Sequence, residues 1–407
     1  MVQNITAFLL EDFYIRLSLL LVERRKKMKR IMIALMLSFL ILLGGIGYAS
    51  AFSTGGVTAV SPVKATFGEP LAVAEERAQS SSMQVKDLSS LLPRSYSSQT
   101  SLSALNGIAR GNNELLAVGG STNYGNIWYP LVGVYNLNTG TFSDLTSQFT
   151  SNIGDNWYLS SAAWNGSSFL LVGVQYTSSG LINPAMASYN PYSGRFIDLS
   201  SQIPIADSAW MLSGVAWNGE SFMIVGYEPS SSTSTGAQPV MAIYKGYSFT
   251  GLSANIPSDY GSDYFLGITT VANQYLITGW EGQNLYPSSE GLLLLYSPHY
   301  GTFTNLSSLI PSNVFWLGGS AWRGNELLVV GVTYPDNPAV GVLNINTFTY
   351  TDLTPPSSNP FPPTYYLLNC ATWGEGNTFY VVGQSQQPNN GPGASAVMGS
   401  VTLYQDE

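Results

Sequence analysis

Three aspartates recur in one setting, Asp144-Leu-Thr, Asp198-Leu-Ser and Asp352-Leu-Thr, and Asp87-Leu-Ser precedes them. Paired carboxylates can act as acid and base in glycoside hydrolysis. A residue repeated once per unit is better read as a structural cap, because active sites break repeat symmetry. Asn305 and Gly251 take the same place in two further units. The carboxylates outside the repeat are the stronger candidates for chemistry. Asp155, Asp207, Asp259 and Asp263 lie between one unit and the next, and Glu228, Glu281, Glu290 and Asp336 follow the second apolar run of a unit. A suitably spaced pair would serve a hydrolase or lyase. As oxygen donors they could hold Ca²⁺, but the Asp-x-Asp-x-Asp-Gly loop is absent, so the calcium signal is weak and no cofactor is expected. Glu114, Glu220, Glu326 and Glu375 fall at hairpin turns and read as solvated charges. A single histidine, His299, excludes a multi-His metal centre. A single cysteine, Cys370, excludes a disulfide framework and reads as a small buried residue.

Aromatic residues are the most pointed functional signal. They precede the repeat's first strand as Trp157-Tyr158, Trp210-Met211, Tyr264-Phe265, Phe315-Trp316 and Tyr365-Tyr366, and Trp128 lies in a loop. Because the pair recurs, packing between blades is the first reading; alternatively, one member of each pair packing and the other facing solvent would form an aromatic mouth. Flat apolar rings beside Asn, Ser and Gln suit sugar rings or an extended peptide. The candidate ligand-binding residues are therefore Trp128, Trp157, Trp210, Tyr264, Trp316 and Tyr365. Asn165-Gly-Ser and Asn305-Leu-Ser are candidate glycosylation sites, the second expected to be partly buried.

These residues are carried by a repeat. SAAWNGSSFLLVG (Ser161 to Gly173), GVAWNGESFMIVG (Gly214 to Gly226), GSAWRGNELLVVG (Gly319 to Gly331) and CATWGEGNTFYVVG (Cys370 to Gly383) are copies, with weaker ones at Gly107 and Ile268. Each reads as a strand, a tight Gly turn and an apolar strand ending in Gly. The runs FLLVG, FMIVG and LLVVG predict strands covered on both faces. A strand–turn–strand segment follows, as in VYNLNTGTFSDLTS and SYNPYSGRFIDLSS. Repeats begin at Leu102, Leu159, Leu212, Leu266, Leu317 and Leu367, spaced by 57, 53, 54, 51 and 50 residues. Four short antiparallel strands cannot bury both faces alone, so the units must stack and close into a ring. The sixth repeat lacks its fourth strand. MQVKDLSSLLP, Met83 to Pro93, matches RFIDLSSQIP and TFTNLSSLIP, so this N-terminal strand is expected to close the last blade. The expected fold is an all-β, six-bladed β-propeller over 83–407.

The strand-ending glycines (Gly119-Gly120, Gly173, Gly226, Gly331, Gly383), with the turn Tyr189-Asn190-Pro191 and the aromatic Phe196, resemble kelch-type β-propellers. The resemblance covers about three quarters of the chain. It implies a propeller whose inter-unit loops rim one face of a channel, and it implies little about function. Most units carry one Gly where kelch units carry two, and Phe stands for the usual Trp of the fourth strand. The Ser-x-Asp-x-Gly-x-x-Trp turn of sialidase propellers is absent.

Ahead of the repeat, RRKKMKR (Arg24 to Arg30) leads into 21 uncharged residues, Ile31 to Ala51, ending Ala49-Ser50-Ala51. This pattern predicts export, with cleavage after Ala51 or retention as an anchor. Residues 1–51 are thus an N-terminal extension plus signal or anchor, with Met28 a second candidate start, and 52–82 read as a flexible stalk. The charge follows the same division. Seven of 15 basic residues lie in the first 30 positions; from Phe52 onward 8 face 21 acidic residues, a net −13. That balance excludes a nucleic-acid partner. The expected protein is an extracellular or cell-surface monomer, touching membrane only through its N-terminal segment. It would be a non-catalytic binding module for carbohydrate or another surface protein. The alternatives are a propeller glycoside hydrolase or lyase, and a structural envelope protein.

Overall fold

The computed structural model has two units, Met1–Glu75 and Glu76–Glu407, and every described residue belongs to the second. It describes residues 82–404 apart from 94–95, 97–101, 123–127, 178–180, 205–209, 230–236, 282–289, 334–336, 354–364 and 387–393. The predicted export segment over 1–51 and all but the last residue of the stalk lie outside the described residues.

Twenty-four strands follow one another along the described chain. β1 (Ser82–Asp87) comes first. The next four are β2 (Leu102–Gly111), β3 (Glu114–Thr122), β4 (Trp128–Asn136) and β5 (Thr141–Asp144), followed by a short helix α1 (Thr146–Asn152). Then come β6 (Trp157–Trp164), β7 (Phe169–Tyr176), β8 (Ile182–Asn190) and β9 (Arg195–Asp198). The third set is β10 (Met211–Trp217), β11 (Phe222–Pro229), β12 (Ala237–Lys245) and β13 (Ser248–Gly251). The fourth is β14 (Tyr264–Val271), β15 (Gln274–Glu281), β16 (Glu290–Ser297) and β17 (Thr302–Asn305). The fifth is β18 (Val314–Arg323), β19 (Glu326–Thr333), β20 (Asn337–Asn344) and β21 (Thr349–Asp352). The last three strands are β22 (Tyr365–Trp373), β23 (Thr378–Gln386) and β24 (Ala394–Tyr404).

All neighbours in each set pair antiparallel, as the hairpin signals require. Four sets, β6–β9, β10–β13, β14–β17 and β18–β21, are separate four-stranded sheets. Six separate sheets were expected, and here the structure differs. The remaining eight strands form a single sheet, because β2 and β24 meet in one parallel pair, Leu102↔Ala394. Within it, β1 runs antiparallel to β24 from Ser82↔Tyr404 to Asp87↔Gly399.

The first strands form a closed circuit: β2 packs on β6, and each in turn packs on the next through β10, β14, β18 and β22 back to β2. The second strands are buried on both faces, as in Phe169–Val174 and Leu327–Thr333. Apolar clusters fill the spaces between sheets rather than one central core. The fold is a β-propeller.

Two sequence motifs acquire physical causes. The Asp or Asn of Asp-Leu-Ser caps the turn after the fourth strand: Asp198 Oδ1 accepts the Ser200 N–H at 2.8 Å, and Asp87, Asp144 and Asn305 do likewise. The following hydroxyl accepts an N–H from the third strand, Met186 to Ser200 Oγ at 3.1 Å and Leu293 to Ser307 Oγ at 3.0 Å. Ser89 does the same for Met398 at 3.1 Å, which ties the two ends of the domain together. The strand-ending glycine reflects a bulge in the facing strand. Each first strand shifts register opposite this glycine, as between Leu212 and Gly214 or Leu317 and Gly319, and β18 and β22 shift a second time nearer their starts. At Gly331 a Cβ would overlap the carbonyl oxygen of Trp316, and at Gly226 that of Met211.

Candidate functional site

The repeated bulge re-aims one side chain per first strand. The bulge residues are Asn106, Ser160, Ser213, Leu266, Gly318 and Asn369, and all six line one cavity of about 210 Å³ in the ring. Small residues follow each bulge because neighbouring strands approach closely there; a Cβ on Gly319 would lie 3.0 Å from the Cα of Cys370. This waist separates the first cavity from a second, of about 600 Å³, towards the other end of the ring.

Polar bulge residues latch strand to strand around the waist. Asn106 Nδ2 donates to the Leu159 carbonyl at 2.8 Å, and Asn369 Nδ2 donates to the Leu105 carbonyl at 3.0 Å and to Asn106 Oδ1 at 3.2 Å. Ser213 Oγ donates to the Phe265 carbonyl. The Tyr158 hydroxyl donates to Asn106 Oδ1 at 3.1 Å. Burial pushes the Tyr158 phenol up to about 12. Tyr227 is likewise raised to about 12, chiefly by burial, with smaller contributions from Tyr158, Tyr264 and Tyr176.

Two groups on the cavity wall are buried and unpartnered: Trp316 Nε1, a donor, and Asn369 Oδ1, an acceptor. Tyr227, Ser160 and Gln384 add neutral polar groups, and among the described residues the wall holds no Asp, Glu, Lys, Arg or His. Such a wall can orient a neutral ligand bearing hydroxyls, each of which both donates and accepts.

Of the six candidate ligand-binding residues, Trp316 lines this cavity among the described side chains, as do Tyr158 and Met211 from the aromatic pairs and Cys370. Trp128 lies beside it, stacked on Tyr176 at 5.4 Å and edge-on to Tyr158 at 4.8 Å. Tyr264 packs against Tyr227 at 4.9 Å and Trp280 at 4.5 Å. Trp157 is 0% exposed, wedged against Phe149 of α1, and Trp210 is buried near Phe249; both fill space between sheets rather than face a mouth. Tyr365 begins β22, opposite Ser385, and its side chain lies outside the described residues. Asn165 is half-buried, its Oδ1 accepting the N–H groups of Ser167 and Ser168. Asn305 is exposed rather than partly buried, because it ends the outermost strand of its sheet.

Sequence reasoning missed Asn106, Asn369 and Tyr227 as site residues, and also the wall of the larger cavity. There Trp164, Trp217, Trp322 and Trp373 stand at the ends of their first strands, with Arg110 and Thr270 in the other two equivalent places. Arg110 lies over the Trp373 ring at 5.3 Å and pairs with Glu375 at 3.2 Å. The recurring Ala-Trp or Thr-Trp before the Gly turn was the available signal.

Among the described residues the candidate carboxylates do not line the smaller cavity. Glu281 and Glu290 face each other across β15 and β16, with one Glu281 oxygen buried and unpartnered. Asp259, Glu281 and Asp263 add to burial in raising the Tyr260 phenol. Asp207 and Asp336 lie outside the described residues. Among the described residues no group of three or more His, Cys, Asp or Glu is placed to hold a metal ion. No described helix is long and apolar enough to cross a membrane.

No family model matches the chain, and no curated protein matches it. Solved structures do. The β-propeller domain of the Trilobed protease from Pyrococcus furiosus is 8% identical, with 76% of this chain and 82% of that chain covered and a TM-score of 0.39. Trypanosoma rangeli sialidase is 9% identical, with 73% of this chain and 54% of that chain covered and a TM-score of 0.49. Likeness at this level concerns the fold and carries no activity across.

Proposed function

We propose that this protein is an exported, non-catalytic binding module whose ligand is a neutral carbohydrate, taken at the smaller cavity of the ring. One observation carries this: two residues that line the cavity, Trp316 and Asn369, carry a buried unpartnered donor (Nε1) and acceptor (Oδ1), and among the described residues the wall has no charged side chain. An unpaired buried polar group costs roughly 1–3 kcal/mol, which a ligand hydroxyl would return. The rings of Trp128, Tyr158, Tyr176, Tyr227, Tyr264 and Trp280 supply flat apolar faces nearby.

In the same proposal the eight-stranded sheet is two propeller units joined at one residue pair, β2–β5 and β22–β24 with β1. Support comes from the six first strands that close the circuit and from the Ser89 contact, which repeats that of the other units. The module is then six-fold and kelch-like, closed by its N-terminal strand.

The hydrolase alternative is favoured by Glu281, which carries a buried unpartnered oxygen and lies opposite Glu290 on the neighbouring strand. Incubating the full-length protein with a panel of neutral oligosaccharides, with mass spectrometry of the products, separates the two. Retention of intact glycan supports the binding module. Catalytic cleavage that is lost in Glu281→Gln supports the hydrolase.

A further inference from the structure

Four of the exposed aromatic side chains among the described residues stand at hairpin tips rather than at the two cavities of the ring. Tyr192, Tyr247, Tyr300 and Phe348 are 73%, 79%, 76% and 43% exposed. Each sits at the tip of the hairpin joining the third and fourth strands of its sheet, in four successive sheets. These tips share one face with the turns between first and second strands: Asn112 Nδ2 donates to the Tyr192 hydroxyl at 2.8 Å, and Lys245 pairs with Glu220.

Two of the four aromatics hold a backbone that disfavours them. The hairpins Asn136-Leu-Asn-Thr-Gly140-Thr141 and Asn344-Ile-Asn-Thr-Phe348-Thr349 correspond residue for residue. Gly140 has φ +68° and Phe348 has φ +53°; Tyr247 has φ +68°. A side chain in this region costs about 1–2 kcal/mol, and an exposed ring recovers little of that by packing. The strain therefore points to something outside the domain that the rings meet.

The place where the chain joins the domain identifies it. Ser82 opposes Tyr404 as Ser248 opposes Lys245, so the chain enters β1 at the tip end, in the sheet position following Phe348. Thirty residues separate Ser82 from the end of the uncharged stretch Ile31–Ala51. The point where the chain enters β1 and the four aromatics lie on one face.

We infer that this face rests on a lipid bilayer, with Tyr192, Tyr247, Tyr300 and Phe348 seated in the headgroup region and Ile31–Ala51 retained as the anchor. Single rings with a polar edge, spaced along a rim, suit that interface. Docking this way turns the larger, tryptophan-lined cavity towards the membrane and the Trp316 cavity away from it. The inference stands whether or not the Trp316 cavity takes a sugar.

The test is hydroxyl-radical footprinting of the full-length protein in phosphatidylcholine nanodiscs and in detergent, read by mass spectrometry. Tyr129, exposed at the opposite end of its strand, is the internal reference. The expected result is that labelling of the four tip rings relative to Tyr129 falls at least about threefold in nanodiscs. The variant Tyr247→Gly/Phe348→Gly should keep or raise the unfolding midpoint and restore labelling at Tyr192 and Tyr300. Equal labelling in both media overturns the proposal, as does shielding that requires an added protein. A marked loss of stability in the variant also overturns it, because the rings would then be structural.

Discussion

Asn106 holds three first strands together at the waist of the ring. Its amide donates to the Leu159 carbonyl at 2.8 Å, and its oxygen accepts from the Tyr158 hydroxyl at 3.1 Å and the Asn369 amide at 3.2 Å. Asn106→Ala removes all three bonds and leaves the Tyr158 hydroxyl without its partner. At about 1 kcal/mol net for each bond, plus part of the desolvation cost of the orphaned hydroxyl, the loss should be about 2–4 kcal/mol. Urea unfolding followed by tryptophan fluorescence reads this as a lower midpoint. The double variant Asn106→Ala/Tyr158→Phe removes the orphan and should recover about 1 kcal/mol, a coupling that a double-mutant cycle isolates. An Asn106→Ala midpoint within about 0.5 kcal/mol of wild type would refute the waist latch.

Three further outcomes are expected. Gly331→Ala should cost about 3 kcal/mol or abolish folding, because the new methyl overlaps the Trp316 carbonyl; calorimetry decides, and a neutral result sinks the bulge explanation. Trp157→Ala should cost about 3–5 kcal/mol in chemical unfolding, as a fully buried side chain packed on Phe149. Alkali should unfold the domain between pH 10 and about 12. The folded state raises Tyr158 and Tyr227 from 10 to about 12 by burial, so their stabilisation is complete below pH 10 and is lost as pH rises through that window. For Tyr158 the loss amounts to about 3 kcal/mol, and a flat stability profile to pH 12 would count against it.

The strand order was legible because hairpin turns and apolar runs are local signals, and the closing strand was legible because Met83–Pro93 repeats an Asp-Leu-Ser motif. The merging of two sheets was not, since it rests on one backbone pair, Leu102↔Ala394, that no side-chain pattern marks. The site was legible only in part. Pairs such as Trp157-Tyr158 read alike in sequence, yet Trp157 is wholly buried while Tyr158 lines the cavity. Alternation along a strand sends neighbours to opposite faces, and the bulge just beyond then resets which residue meets the channel. Asn106 and Asn369 were invisible for that reason: each stands one residue before a small waist residue, Gly107 and Cys370, a relation that acquires meaning only once the bulge is seen.

The central claim is that ligand is held at the Trp316 cavity rather than at the larger, tryptophan-lined one. The direct measurement is the affinity of the full-length protein for its best-binding neutral glycan, by calorimetry, in wild type, Trp316→Ala and Trp322→Ala. Loss of a buried donor and a flat ring should weaken Trp316→Ala by at least about tenfold, with Trp322→Ala within about twofold of wild type. The opposite order, or a folded wild-type protein that binds no glycan at all, would contradict it.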